Sequence, residues 1–270
     1  MQDRSYLFVP GDRPERFDKA LASGAHAVIL DLEDAVLPER KPEAREAIRH
    51  WLGQRTGAPV WVRVNPLHTP WHDEDLSLLQ APRVRGLMLP KAQDAAALHT
   101  LTRRLQPGQQ LIPLVETVAG WFEAEALARS PQVLRLAFGS VDFMADSGIQ
   151  GEGEEMDAVR TPLVLTSRRA GIQPPIDGVS LAIDDPAQLS TDTARSRRFG
   201  FGAKLCIHPR QVPGVNAAFV PNAQQIDWAR RVVQALAKGP AGAVTVDGKL
   251  VDHPVEILAQ GILAEAPLRP

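Results

Sequence analysis

The chain has 270 residues, 44% of them hydrophobic and 23% charged, the balance of a globular protein with a sizeable core, which excludes a disordered chain. Thirty Lys and Arg against 32 Asp and Glu leave a formal charge of -2, so no global field draws the protein to nucleic acid or to an anionic membrane. A single cysteine, Cys206, excludes an intrachain disulfide and a cysteine-based zinc site, and with no apolar run near 18 residues and no leader-like N-terminus the sequence predicts a cytoplasmic protein.

Eight short apolar runs read as strands, at 5–9, 27–30, 60–64, 86–89, 111–115, 134–138, 176–179 and 203–207. Most are near-continuous rather than alternating, the pattern of strands buried on both faces of a parallel sheet. Between them, helices are expected at 14–24, 42–52, 94–105, 121–128, 160–170 and 186–199, several marked by a capping residue or a closing glycine. Eight such alternations fit a (β/α)8 TIM barrel over residues 1–221, and no G-x-G-x-x-G follows the first strand to suggest an open dinucleotide-binding sheet. Residues 139–157, containing GIQGEGEEMD, read as a long acidic loop of the kind that carries function. Residues 222–270 follow a different plan: a helix at 222–237, a Gly/Pro linker at 238–243, a hairpin at 243–251 around Asp247-Gly248, and a helix at 254–263. This helix-hairpin-helix extension is too short for a core of its own, so it is expected to serve as a lid and oligomerisation segment on the barrel or on a neighbouring subunit.

Barrel enzymes gather their reactive groups where strands end and βα connections begin. The second strand ends in Asp31-Leu32-Glu33-Asp34, the third in Arg63-Val64-Asn65 and the fourth in Pro90-Lys91. The fifth ends in Glu116-Thr117, the sixth in Gly139-Ser140-Val141-Asp142 and the eighth in His208-Pro209. Acids at the second, fifth and sixth positions with Arg and Lys between them look like a divalent-metal site facing an anionic substrate. Glu116 and Asp142 are the ligand candidates, because hard cations take carboxylate oxygens and Mg²⁺ keeps positions for water and substrate. Either acid alone would read as a solvated or capping residue; their pairing at adjacent strand ends carries the metal assignment. Arg63, inside the apolar run VWVRVN, must meet an anion because a buried unpaired guanidinium is costly. Its partner is internal, among Asp31, Glu33 and Asp34, or a substrate carboxylate gripped by the planar fork, and both can hold at once.

RSYLFVPGDRPERFDKAL, VILDLEDAV, RVN, LPKAQ, LVETVAG, FGSVDF and IHPRQV occur in order between residues 4 and 212. Together they resemble the citrate lyase beta-subunit-like family, which includes stand-alone malyl-, citramalyl- and citryl-CoA lyases; VDGKLVDHP at 246–254 is similar to that family's C-terminal motif ending in Asp-x-Pro. The resemblance implies Mg²⁺ or Mn²⁺ on Glu116 and Asp142, and Arg63 on the carboxylate of the 2-oxo acid moiety. It implies Asp252 as a catalytic group delivered over a neighbouring subunit's barrel mouth, in a homotrimer or a dimer of trimers. Glu33 or Asp34 would hold metal-bound waters or Arg63. Arg16, Lys19 and Lys91 would contact coenzyme A phosphates, although the first two also read as a solvated helix face. His208 either bonds substrate or caps its loop. The implied reaction is a retro-aldol or Claisen-type cleavage of a 3-hydroxy-3-carboxyacyl-CoA to acetyl-CoA and a 2-oxo acid, with citramalyl-CoA preferred over malyl-CoA and citryl-CoA. Two alternatives are a metal-dependent aldolase acting on free 2-oxo-4-hydroxy acids without coenzyme A and a catalytically silent binding or regulatory subunit. The tail and the basic first unit speak against the first, and the intact charged set against the second.

Overall fold

The computed structural model describes residues 3–54, 56–238 and 244–266. Strands β1 (Ser5–Pro10), β2 (Ala27–Asp31), β3 (Val60–Arg63), β4 (Val84–Leu89), β5 (Gln110–Val115), β6 (Ala137–Phe138), β7 (Ile176–Asp177) and β8 (Ala203–Cys206) pair in parallel, in sequence order. They close into a barrel, β8 returning to β1, and each of the eight apolar runs falls on a strand. β2 and β3 are buried along their whole length, one face against helices and the other in the barrel, which is why their apolar runs do not alternate. Inside, Tyr6, Ile29, Trp61, Met88, Ile112, Leu114, Ile176 and Leu205 belong to one cluster, so the barrel is filled by side chains. β7 is shorter than the run 176–179 and cannot start earlier, because Pro174 and Pro175 precede it and offer no N–H to the ladder.

The outer layer comprises α1 (Phe17–Leu21), α2 (Lys41–Gly53), α3 (His72–Asp75), α4 (Ala95–Thr102), α5 (Val118–Phe122), α6 (Ala124–Ala128), α7 (Ser140–Ser147), α8 (Glu154–Ala170), α9 (Pro186–Phe199) and α10 (Gln211–Ala218). Asp94 caps α4 through the Ala97 N–H at 2.9 Å, and Asp185 caps α9 ahead of Pro186, a pairing of cap and first-turn proline that starts a helix cleanly. The sequence did not announce α3, α7 or α10. In particular, 139–157 is not one loop: α7 occupies its first half, and α8 begins at Glu154 rather than at residue 160. Gly148, at φ 77°, ends α7 in the left-handed conformation, and Glu154, Glu155 and Asp157 suit the positive end of the α8 dipole. Glycine and acid here mark two helix termini, and only 148–153 is loop.

The described residues fall into two compact units, within Gln2–Asn216 and within Ala217–Pro270. The second contains α11 (Ala223–Lys238), the hairpin of β9 (Val244–Val246) and β10 (Lys249–Val251), and α12 (His253–Glu265). Asp247 and Gly248 both have positive φ, as the tight hairpin turn requires. Contrary to the expectation of a coreless tail, Ala229, Val232, Val246, Val251 and Ala259 form a small buried cluster, with Trp228, Leu236 and Ile262 against it. Of the expected linker 238–243, everything after Lys238 lies outside the described residues. No described helix is long and apolar enough to cross a membrane.

Candidate active site

Ile29, Trp61, Ile112 and Leu114 line the barrel interior. Side chains alternate along a strand, so the next inward positions toward the C-terminal ends of β2, β3 and β5 are Asp31, Arg63 and Glu116. Asp31 and Arg63 are register partners on adjacent strands. Arg63 Nε donates to Asp31 Oδ1 and Nη2 to Oδ2, both at 2.6 Å, a two-pronged pair. Nη1 lies 3.0 Å from Glu33 Oε2, and the guanidinium stacks 4.6 Å from the centroid of the Phe8 ring. Burial alone would lower the guanidinium's pKa; the Asp31 charge overrides it and raises the value. Arg63 is therefore a fixed cation whose internal partner is Asp31, with the Nη1 edge turned to Glu33. Asp34 stands 4.0 Å from Nη1 with its side chain mostly in solvent, so the structure separates the two acids that the sequence treats alike.

The turn after β2 is knitted from below. Asp31 accepts the Glu33 N–H at 2.9 Å, and the buried Lys41 donates to the carbonyls of Leu32 and Glu33 at 2.8 Å each. Lys91, expected on coenzyme A phosphates, places its ammonium 2.5 Å from Glu33 Oε1. Its backbone N–H donates to Glu116 Oε1 at 2.7 Å. One residue thus holds two carboxylates, and it does so at φ 49°, a left-handed conformation that costs a non-glycine residue about 1 kcal/mol or more.

Glu116 is 1% exposed. A Cβ at position 139 would lie 2.5 Å from Glu116 Cβ and 2.7 Å from Oε2, so glycine is what leaves room for this carboxylate. Burial first, then the charges of Glu33 and Asp142, push its carboxyl up to about 8. Asp142 is half-buried in the first turn of α7, and Asp146 of the same helix accepts the Val118 N–H at 2.7 Å, tying α7 to the segment after Glu116. Gathered carboxylates of this kind, one with a cradle cut for it, fit a divalent cation. Among the described residues no three His, Cys, Asp or Glu side chains are grouped to hold a metal ion; Mg²⁺ takes one or two carboxylates and leaves the rest to water and substrate.

Arg16, beside Glu15 at 3.7 Å, and Lys19 are solvent-exposed. His208 caps its loop: Nδ1 accepts the Arg210 N–H at 3.2 Å. Asp252 belongs to the second unit, where it is the N-cap residue of α12 without a side-chain cap bond. Alternation on β2 and β3 would have singled out Asp31 as the fork partner of Arg63; no sequence signal foretells the double role of Lys91.

Residues 4–209 match the model of the HpcH/HpaI aldolase/citrate lyase family. The chain belongs to this family. It is 36% identical to the citrate lyase subunit beta-like protein of Mycobacterium tuberculosis, over 97% of this chain and 94% of that one. It is 31% identical to a (3S)-malyl-CoA thioesterase of Cereibacter sphaeroides, again over 97% and 94%. The structure of CitE from Mycobacterium tuberculosis in complex with magnesium, acetoacetate and coenzyme A matches with a TM-score of 0.87 at 34% identity, covering 98% of each chain. As a member of the HpcH/HpaI aldolase/citrate lyase family, the protein is a carbon–carbon lyase.

Proposed function

We propose that this lyase is Mg²⁺-dependent and cleaves a 3-hydroxy-3-carboxyacyl-CoA to acetyl-CoA and a 2-oxo acid, with citramalyl-CoA preferred over malyl-CoA and citryl-CoA, in the cytoplasm. The observation that carries the proposal is the buried Glu116, set against Glu33 and Asp142 beside a guanidinium pinned in the barrel mouth. The relative from Mycobacterium tuberculosis that binds magnesium, acetoacetate and coenzyme A supports it. Glu116 and Asp142 would hold the ion. When bound, it supplies Lewis acidity to the hydroxyl and carboxylate oxygens of the substrate.

The protein's own groups do the rest. Asp31 occupies two of the Arg63 nitrogens and so fixes the plane of the guanidinium, leaving Nη1 for the substrate carboxylate in place of Glu33. Lys91 retains Glu33 when that exchange occurs. The hydroxyl proton passes to solvent water as the C–O bond becomes a carbonyl, the electron pair of the breaking C–C bond passes to the acyl carbon, and Asp252 delivers a proton there and is reprotonated from solvent, which balances the reaction. We assign Asp252 to a neighbouring subunit of a homotrimer or dimer of trimers. Exposed apolar side chains on the βα connections, Leu37, Val141, Leu181 and Ile207, and on the extension, Leu250, Ile257 and Leu258, favour such an assembly. Arg16, Lys19 and Lys91 are assigned to coenzyme A phosphates, Lys91 from the rim of the reaction centre, where it also holds Glu33.

Steady-state kinetics on citramalyl-, malyl- and citryl-CoA, and on free 4-hydroxy-2-oxo acids, test the proposal. Acetyl-CoA is expected from at least one thioester, fastest from citramalyl-CoA. Turnover confined to the free acids would replace it with the aldolase alternative.

A further inference from the structure

Between the β2–α2 and β3–α3 connections lies a cavity of about 300 Å³. Glu33, whose carboxylate meets Arg63 and Lys91, is one of its lining residues, so the cavity borders the reaction centre. Leu37 and Pro38 on one side and Pro66 and Trp71 on the other are apolar, while the polar lining residues Asn65 and Thr69 already donate to Asp75 and to the Pro66 carbonyl. Its lining cation, Lys41, is already engaged, bonded to two backbone carbonyls at 2.8 Å and 5.2 Å from the centroid of the Trp71 ring. The other charged lining residues, Glu33 and Asp34, are acids, so a second carboxylate entering here meets like charge. The mechanism leaves this space unused.

We propose that the cavity receives the substituent on the carbonyl carbon of the 2-oxo acid, which is the hydroxyl-bearing carbon of the thioester, and that it selects an uncharged alkyl group, methyl or longer. The inference rests on the lyase assignment above and sharpens it. A 2-oxo acid whose carboxylate takes Nη1 of Arg63 displaces Glu33 from that edge and therefore stands at the cavity wall. Glyoxylate, with a hydrogen as its substituent, leaves the cavity empty; oxaloacetate brings a negative group against Asp34 and Glu33.

The test measures two things with the full chain in Mg²⁺: calorimetric binding of glyoxylate, pyruvate, 2-oxobutyrate, 2-oxovalerate and oxaloacetate, and their condensation with acetyl-CoA followed by mass spectrometry. Affinity and kcat/KM should climb along the alkyl series, by about 10-fold or more for each of the first carbons added, with oxaloacetate below pyruvate. Leu37→Trp fills the cavity from a position that is 61% exposed and so tolerant of change; it should cut the preference for 2-oxobutyrate over glyoxylate by about 10-fold or more. A flat series, a preference for oxaloacetate, a chain-length effect that survives Leu37→Trp, or binding of none of the five acids overturns the proposal. Binding that follows the expected series without any condensation product supports the cavity assignment and counts against the lyase assignment alone.

Discussion

Glu116 is a carboxylate that the fold ionises at a cost. Its carboxyl is pushed up to about 8 from an ordinary 4.5, by burial and by the charges of Glu33 and Asp142. Between these values the metal-free folded protein keeps a proton that the unfolded chain has lost, so stability falls as pH rises through the window, by up to about 1.4 kcal/mol per unit. Glu33, also shifted upward by burial, acts in the same direction. In EDTA the melting temperature should therefore drop between pH 5 and pH 8.5, and Glu116→Gln should remove most of the drop. An unchanged slope in the variant, read by scanning calorimetry, would assign the loss to other groups. Glu116 and Asp142 were legible in the sequence because apolar strands that end in acids are conspicuous. The Asp31–Arg63 fork was legible only as one of several pairings, since three acids follow β2 and only side-chain alternation separates them. The hold of Lys91 on Glu116 was not legible, because it is made by a left-handed backbone, which leaves no trace in residue type.

Where β7 and β8 meet α8 and α9, a second charged group is sealed from solvent. Asp177, fully buried, accepts from Arg160 Nε at 3.1 Å, from the Gly178 N–H at 2.9 Å and from Ser196 Oγ. Lys204, 1% exposed, donates to the Gly178 carbonyl at 2.7 Å. Burial alone would push the Asp177 carboxyl up; the charges of Lys204 and Arg160 and the hydrogen bonds hold it below the ordinary range. Arg160 also pairs with Glu152, and Arg195 donates to the Glu152 carbonyl at 2.8 Å, so the cluster ties loop 148–153 to the helical layer. Asp177→Ala leaves two buried cations short of their partner and should cost about 3–5 kcal/mol, seen as a lower urea midpoint. Glu152→Ala, which removes a partly exposed acid and leaves the buried Arg160 its bond to Asp177, should cost a small fraction of that. Equal losses would show that the buried cluster has no special weight. At this scale the eight strands were legible from their continuous apolar runs. α7 was not, because its terminal glycine and the acids that open α8 give the composition of a loop.

Over the whole molecule the order of strands and the closure of the barrel were legible, since eight βα alternations admit few other arrangements. The assembly was not, because an exposed Leu250 or Ile257 does not name what covers it. The shared-site proposal is tested by mixing two inactive proteins, Asp252→Asn and Glu116→Gln. Co-refolding should restore partial activity if Asp252 serves a neighbour's barrel; no recovery at any ratio, with subunit exchange verified by native mass spectrometry, would return Asp252 to its own chain. Whether Glu116 and Asp142 form the Mg²⁺ site of an acyl-CoA lyase is decided by acetyl-CoA release from citramalyl-CoA as Mg²⁺ is titrated into EDTA-treated enzyme, for the wild type and Glu116→Gln. Release should depend saturably on Mg²⁺ in the wild type and nearly vanish in the variant at any concentration; release that is undiminished in EDTA, or equal in the two proteins, would exclude this metal site.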